Sequence, residues 1–199
     1  MKLYNFLLIL LYPAFSIVSN QTGYRQATGS KTSPDTIRIL HVGDTVPDIR
    51  FQEVFNYRHS KANLKDFKAK LIILDFWASY CSTCLEGIPV ADSLQREFGK
   101  DVQFILVNSE LTHDNLTKAK TAIGRINQGL SKKLCLPVAV NDTAAYRLFR
   151  FKIIPHYVWI GKDGVIKAIT NNLEVTRANI RAMLSGQQVT LPVKGDRMK

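Results

Sequence analysis

The sequence predicts an α/β fold, a central sheet of mixed direction with helices on both faces. Three observations carry that prediction. Strand-length apolar runs alternate with helix-period segments through most of the chain. Late in the chain two short apolar runs, Tyr157–Ile160 and Val165–Ile169, meet across "GKDG" and read as an antiparallel hairpin. The run "LIILDFW" (71–77) is apolar without alternation, as a central strand covered on both faces must be. With 199 residues, 46% of them hydrophobic, the chain can bury one real core, so disulfides are not needed to hold it.

Taken in order, "MKLYNFLLILLYPAFSIVSN" has Lys2, an apolar stretch from Leu3 to Val18, then polar residues. Residues 1–19 therefore read as a secretory signal peptide, with a short N-terminal membrane anchor as the competing reading. Residues 20–36 are polar, closed by Pro34, and read as a flexible linker. The folded domain is expected over 37–186. "VGDTVPDIRF" (42–51) suggests an edge element, and "ANLKDFKAK" a polar approach to the central strand. From Cys84 to Phe98 the spacing is helical, with Gly99 closing the helix and Pro89 inside it. "DVQFILVN" (101–108) is a second buried strand, 113–130 an amphipathic helix, and "LPVAV" (136–140) a short strand. A helix over 142–151 starts on Asp142 as its cap, and another over 176–186 ends at Gly186. The tail 187–199 is expected to fray.

The formal charge is +11, yet the lysines and arginines are spread along the chain with no arginine-rich arm and no basic–aromatic pattern. That argues for a solvated basic surface and against nucleic acid as a partner. Three cysteines are too few for a disulfide scaffold, and an odd number cannot all pair within one chain. Two of them, Cys81 and Cys84, stand three apart where the strand "LIILDFW" hands over to a helix. Residues i and i+3 share a helix face, so the two thiols can close a small ring. Unpaired backbone N–H groups and the positive end of the helix dipole would stabilise the thiolate of Cys81, making it the attacking sulfur. Cys84, one turn in, would resolve the mixed disulfide. Cys135 in "KKLCLPV" lies in an apolar setting and reads as a buried free thiol. No second ligand pair at metal spacing accompanies the cysteines, so no metal is expected.

"LDFWASYCSTC", followed five residues later by Pro89, resembles the active site of the thioredoxin superfamily. With the leader and "GDTVPDIRF" upstream, it is most similar to the exported TlpA/ResA-like disulfide reductases, over roughly 42–185. The resemblance implies a thioredoxin-like fold and a thiol–disulfide oxidoreductase in which Cys81 and Cys84 are catalytic. Asp75 matches the family's buried acid; desolvation should raise its pKa and let it take a proton from Cys84. Pro155 in "IIPHYVWI" matches the family's cis-proline, and Ile154 would offer backbone hydrogen bonds to an added substrate strand. Trp77 and Tyr80, beside the motif, complete the implied substrate-binding set. Gly87 stands where many exported members carry a glutamate, with Glu86 shifted by one, so that role is assigned to neither. His156 is open to a tuning role at Cys81 or to packing.

No cofactor is implied, since the two sulfurs carry the electrons. The implied partners are protein disulfide substrates and a membrane electron donor, and the implied location is the periplasm or cell envelope. Disulfide donation by the same site, a non-redox peptide-binding module and a peroxiredoxin-like peroxidase are the alternatives.

Overall fold

The computed structural model describes residues 38–187 and 189–194. The expected leader (1–19) and linker (20–36) lie outside the described residues. The chain forms a six-stranded mixed sheet with helices on both faces. At its centre lies β4 (Leu71–Phe76), the "LIILDFW" run, with all six residues buried. Parallel to it runs β5 (Val102–Ser109), and parallel to β5 runs β6 (Val138–Asp142), which carries the antiparallel edge strand β2 (Val54–Phe55). On the other side the hairpin supplies β7 (His156–Gly161), antiparallel to β4, and the edge strand β8 (Ile166–Thr170). The order across the sheet is β2-β6-β5-β4-β7-β8.

The expected edge element at 42–51 takes a different place. Its strand β1 (Arg50–Phe51) pairs with β3 (Ala62–Asn63) in a separate two-stranded sheet, while the residues before it lie along the hairpin: Thr45 bridges to Val165, and the backbones of Gly43, Asp44 and Val46 hydrogen-bond to Ile166 and Gly164. Local alternation can mark a strand, but the partner is chosen by packing.

Alternation along β4 sorts the core into two layers. Leu71, Ile73 and Trp77 face α1 (Ser82–Phe98), α2 (Leu116–Gln128) and α4 (Arg177–Leu184). Ile72, Leu74 and Phe76 face α3 (Ala144–Phe149) and the β1–β3 segment. Asp75 belongs by position to the α1 layer, the only acidic residue in that strand. The helix starts are fixed by short polar side chains: Asn115 caps α2 through Lys118 N, and Thr176 caps α4 through Asn179 N. Asp142 ends β6 and accepts the N–H groups of Ala145 and Tyr146 at 2.8 and 3.1 Å, so the expected cap works from one residue further back. Part of the tail expected to fray is held: Lys194 donates its N–H to Ile169 of β8, and Leu191 packs against the α1 layer.

Candidate active site at the start of α1

The end of β4 runs straight into the cysteine motif. Trp77 still donates its N–H to Val107 of β5, after which the chain turns and Cys81 becomes the N-cap of α1. Cys81 and Cys84 are joined as a disulfide with their Cα atoms 5.2 Å apart. The N–H of Cys84 points at Cys81 Sγ at 3.2 Å, one of the donors that a helix start leaves without a backbone partner. Cys81 is partly exposed and Cys84 fully buried. An incoming sulfur can therefore reach Cys81 and not its partner, which fits the order of attack that the spacing implied.

A buried polar network holds the turn before the motif. Asp114, in the loop after β5, accepts the N–H and the hydroxyl of Ser79 at 2.7 and 2.6 Å. Its Oδ2 also accepts the side-chain amide of Asn108, at 2.8 Å. Sequence reasoning passed over Asp114, because the partner stands 35 residues from Ser79 and the link exists only once β4 and β5 pair.

Asp75 is fully buried, and burial pushes its carboxyl up to about 8. The Tyr157 phenol, directly across the β4–β7 ladder, acts in the opposite direction without reaching strict hydrogen-bond geometry. Cys84 and Tyr157 belong to the same apolar layer under α1. A carboxyl that titrates near an ordinary thiol, about 8.5, can exchange a proton with one at small free-energy cost.

The Ile154–Pro155 bond is cis. The pairing of Phe76 with His156 brings Pro155 level with Trp77, at the end of the sheet where the disulfide sits. Lys194 holds this loop by donating to the carbonyl oxygens of Ile153 and Pro155, at 2.5 and 2.6 Å. Tyr80 is 69% exposed beside Cys81 and Ile153 is 63% exposed beside the proline, so both offer apolar surface. Tyr80 neighbours Cys81 in the chain and faces solvent. Trp77 is fully buried and supports the motif from beneath, so surface contact falls to Tyr80 and the Ile154–Pro155 loop. His156 lies on the opposite face, buried against Phe76 and stacked on Phe151 with ring centres 4.7 Å apart, so it packs. Cys135 is exposed, not buried: Leu134 and Leu136 turn inward and alternation turns Cys135 out.

The Redoxin family profile matches residues 41–184. The chain belongs to the Redoxin family. Within the thioredoxin superfamily it is of the TlpA/ResA-like kind. It is 28% identical to the thiol-disulfide oxidoreductase ResA of Oceanobacillus iheyensis over 108 residues, 53% of this chain and 50% of that protein. It is 30% identical to the thioredoxin-like protein YneN of Bacillus subtilis over 69 residues, 35% of this chain and 39% of that one. The chain thus spans half or less of these curated relatives. Among solved structures, the thioredoxin domain of a thiol-disulfide oxidoreductase from Bacteroides vulgatus superimposes with a TM-score of 0.56 at 18% identity, covering 74% of this chain and 97% of that one. The exposed lipoprotein thioredoxin of Streptococcus pneumoniae gives 0.55 at 24% identity, covering 70% and 99%. At such identities these neighbours establish the fold, which is thioredoxin-like.

Proposed function

We propose that this Redoxin-family protein is a thiol–disulfide oxidoreductase of the cell envelope that reduces disulfides in exported proteins. The observation that carries the reading is the Cys81–Cys84 pair at the start of α1, one sulfur reachable and the other sealed. In the reduced protein the helix N-terminus favours the thiolate of Cys81, which attacks a substrate disulfide. One substrate sulfur leaves as a thiol and the other stays bonded to Cys81. Asp75 takes the proton of Cys84, whose sulfur then bonds to Cys81 and expels the second substrate thiol. The substrate gains two electrons and two protons, and the protein is left in the disulfide form. A membrane electron donor would return it to the dithiol. The backbone beside Ile154 and Pro155, with the exposed Tyr80 next to Cys81, would hold the substrate chain as an added strand. The leader-like sequence at 1–19 and the kinship with ResA support export and reduction.

The test is the reduction potential of the Cys81–Cys84 couple, measured by equilibration with glutathione. A value near roughly −270 mV fits a reductase that must be supplied with electrons. A value near roughly −120 mV would make the protein a disulfide donor and overturn the direction proposed.

A further inference from the structure

Asp75 is sealed from water, so any proton it takes from Cys84 needs a way out. The fold supplies one polar atom in the right place. Asp75 and Tyr157 stand opposite each other on antiparallel β4 and β7, on the face toward α1. The far side of the phenol lies under α1 at Gly87, where a Cβ would stand 3.3 Å from the Tyr157 oxygen. A side chain longer than hydrogen at position 87 would crowd that oxygen. Above it is a cavity of about 180 Å3, walled by Thr83, Glu86 and Gly87 of α1, by Asn172 and Val175, and by Tyr157 itself. Liquid water occupies about 30 Å3 per molecule, so the cavity has room for several.

We propose that the Tyr157 hydroxyl relays protons between Asp75 and water in the cavity over Gly87, a role that rests on the thiol–disulfide reading above. When Cys84 resolves the mixed disulfide, its S–H proton passes to the Asp75 carboxylate. The Cys84 sulfur bonds to Cys81, the bond from Cys81 to the substrate breaks, and its electron pair leaves on the substrate sulfur, which takes a proton from solvent. Asp75, now a carboxylic acid, gives its proton to the phenol oxygen as the phenolic proton moves to a cavity water. Tyr157 ends the cycle neutral, and Asp75 returns to the carboxylate from which the step began. Reduction of the disulfide runs the same path backwards. Among the described residues, other titratable groups around the pair are few. Helix α1 brings Cys84 in the shared apolar layer and Glu86 on the cavity wall, while β5 and β8 offer Leu106 and Thr170 at the paired positions.

Tyr157→Phe keeps the ring and removes the relay. We expect the resolving step, followed in single turnover, to slow about ten- to a hundredfold at pH 7 with KM for the disulfide substrate unchanged. The pH limb assigned to Asp75 should move upward, because the phenol opposes the effect of burial. In an Asp75→Asn background the same change should cause no further loss. A wild-type rate and pH limb in Tyr157→Phe, or an equal loss in the Asp75→Asn background, would overturn the relay. Gly87→Ala provides a second probe that folds, since alanine favours a helix more than glycine does. Its Cβ narrows the cavity at the phenol and should slow resolution severalfold; a full wild-type rate counts against the path. Failure of the wild type to reduce any disulfide would sink the proposed function instead. The relay contact is then still read by carbon NMR of the Asp75 carboxyl, whose titration must move up in Tyr157→Phe.

Discussion

At the start of α1, Cys84 shares an apolar layer with a carboxyl, Asp75, whose neighbours are hydrophobic side chains and a phenol. Further along the same helix Asp92 faces the third cysteine, Cys135, and is held by an ion pair to Arg96 at 2.8 Å and by the Cys135 N–H at 2.6 Å. The two neighbourhoods use the same residue types to opposite effect. Asp75 is dry and loosely engaged, so burial raises it to about 8 and leaves it able to take a thiol's proton. Asp92 is fully engaged, and its charge and hydrogen bond add to burial in pushing Cys135 up to about 11. Both Cys81 and Cys135 are open to solvent, so exposure does not decide which is the nucleophile. In the proposed mechanism the local field does: a backbone N–H at Cys81, a carboxylate at Cys135.

Turnover should separate the two neighbourhoods most widely. Replacing Cys81 with Ser should lower disulfide reduction by at least about a thousandfold, as loss of a covalent nucleophile does. Replacing Cys135 with Ser should leave it within about twofold of the wild type, because a side chain with so little thiolate at neutral pH supplies no second nucleophile. An insulin-turbidity assay on both variants reads the contrast. Loss of activity in the Cys135 variant would mean that the third thiol takes part.

Stability against pH tests the Asp75 half. Its carboxyl titrates near 3.8 when unfolded and near 8 when folded, so between those values the folded protein holds a proton that the unfolded chain has released. Stability contributed by that proton is complete below about pH 4, falls as the pH rises, and is gone above about pH 8. Between pH 4.5 and pH 8 the decline should sum to roughly 3–5 kcal/mol in the oxidised protein, and Asp75→Asn should remove it. Urea unfolding of both proteins at pH 4.5 and pH 8 gives the difference, in which other titrating groups cancel. Equal slopes would mean that Asp75 is not held neutral by burial.

The reactive half of this contrast was legible in the sequence and the inert half was not. Two cysteines at helix spacing after a continuous apolar run specify where a strand ends and a helix begins, and the acid inside "LIILDFW" had to be desolvated. These are local facts. Tyr157 escaped notice because it meets Asp75 only through the antiparallel β4–β7 register, and Gly87 was read as a missing glutamate and not as room for a phenol. Cys135 was misplaced although a signal was there. In "KKLCLPV" the leucines on either side compete for the core, and an extended chain cannot turn all three inward. Lys194 lies in a tail that composition marks as loose, and it is held by its N–H to Ile169 and by the two carbonyls beside the cis-proline that accept its ammonium. Long-range partners of this kind carry no periodicity.

The finest test changes the field at Cys135 without touching its packing. Asp92→Asn keeps a side-chain oxygen that can still accept the Cys135 N–H, so the backbone there should stay in place. Arg96 loses its carboxylate but keeps its bond to the Lys133 carbonyl, and so remains as a cation near the sulfur. The largest cause of the raised Cys135 pKa is burial: the residue as a whole is exposed, but its thiol is partly enclosed. That part survives the substitution, so Cys135 should not reach the value of a free thiol, about 8.5. The removable part is the charge and hydrogen bond of Asp92, opposed by Arg96. A gain of about tenfold in thiolate at pH 8 follows if they amount to one pKa unit, and alkylation by iodoacetamide should quicken in proportion. The measurement needs Cys81→Ser and Cys84→Ser in the same chain, so that Cys135 is the only thiol. A rate equal to that of the Asp92 parent would mean that enclosure alone quiets Cys135, and the carboxylate beside it would be holding the chain together without governing its chemistry.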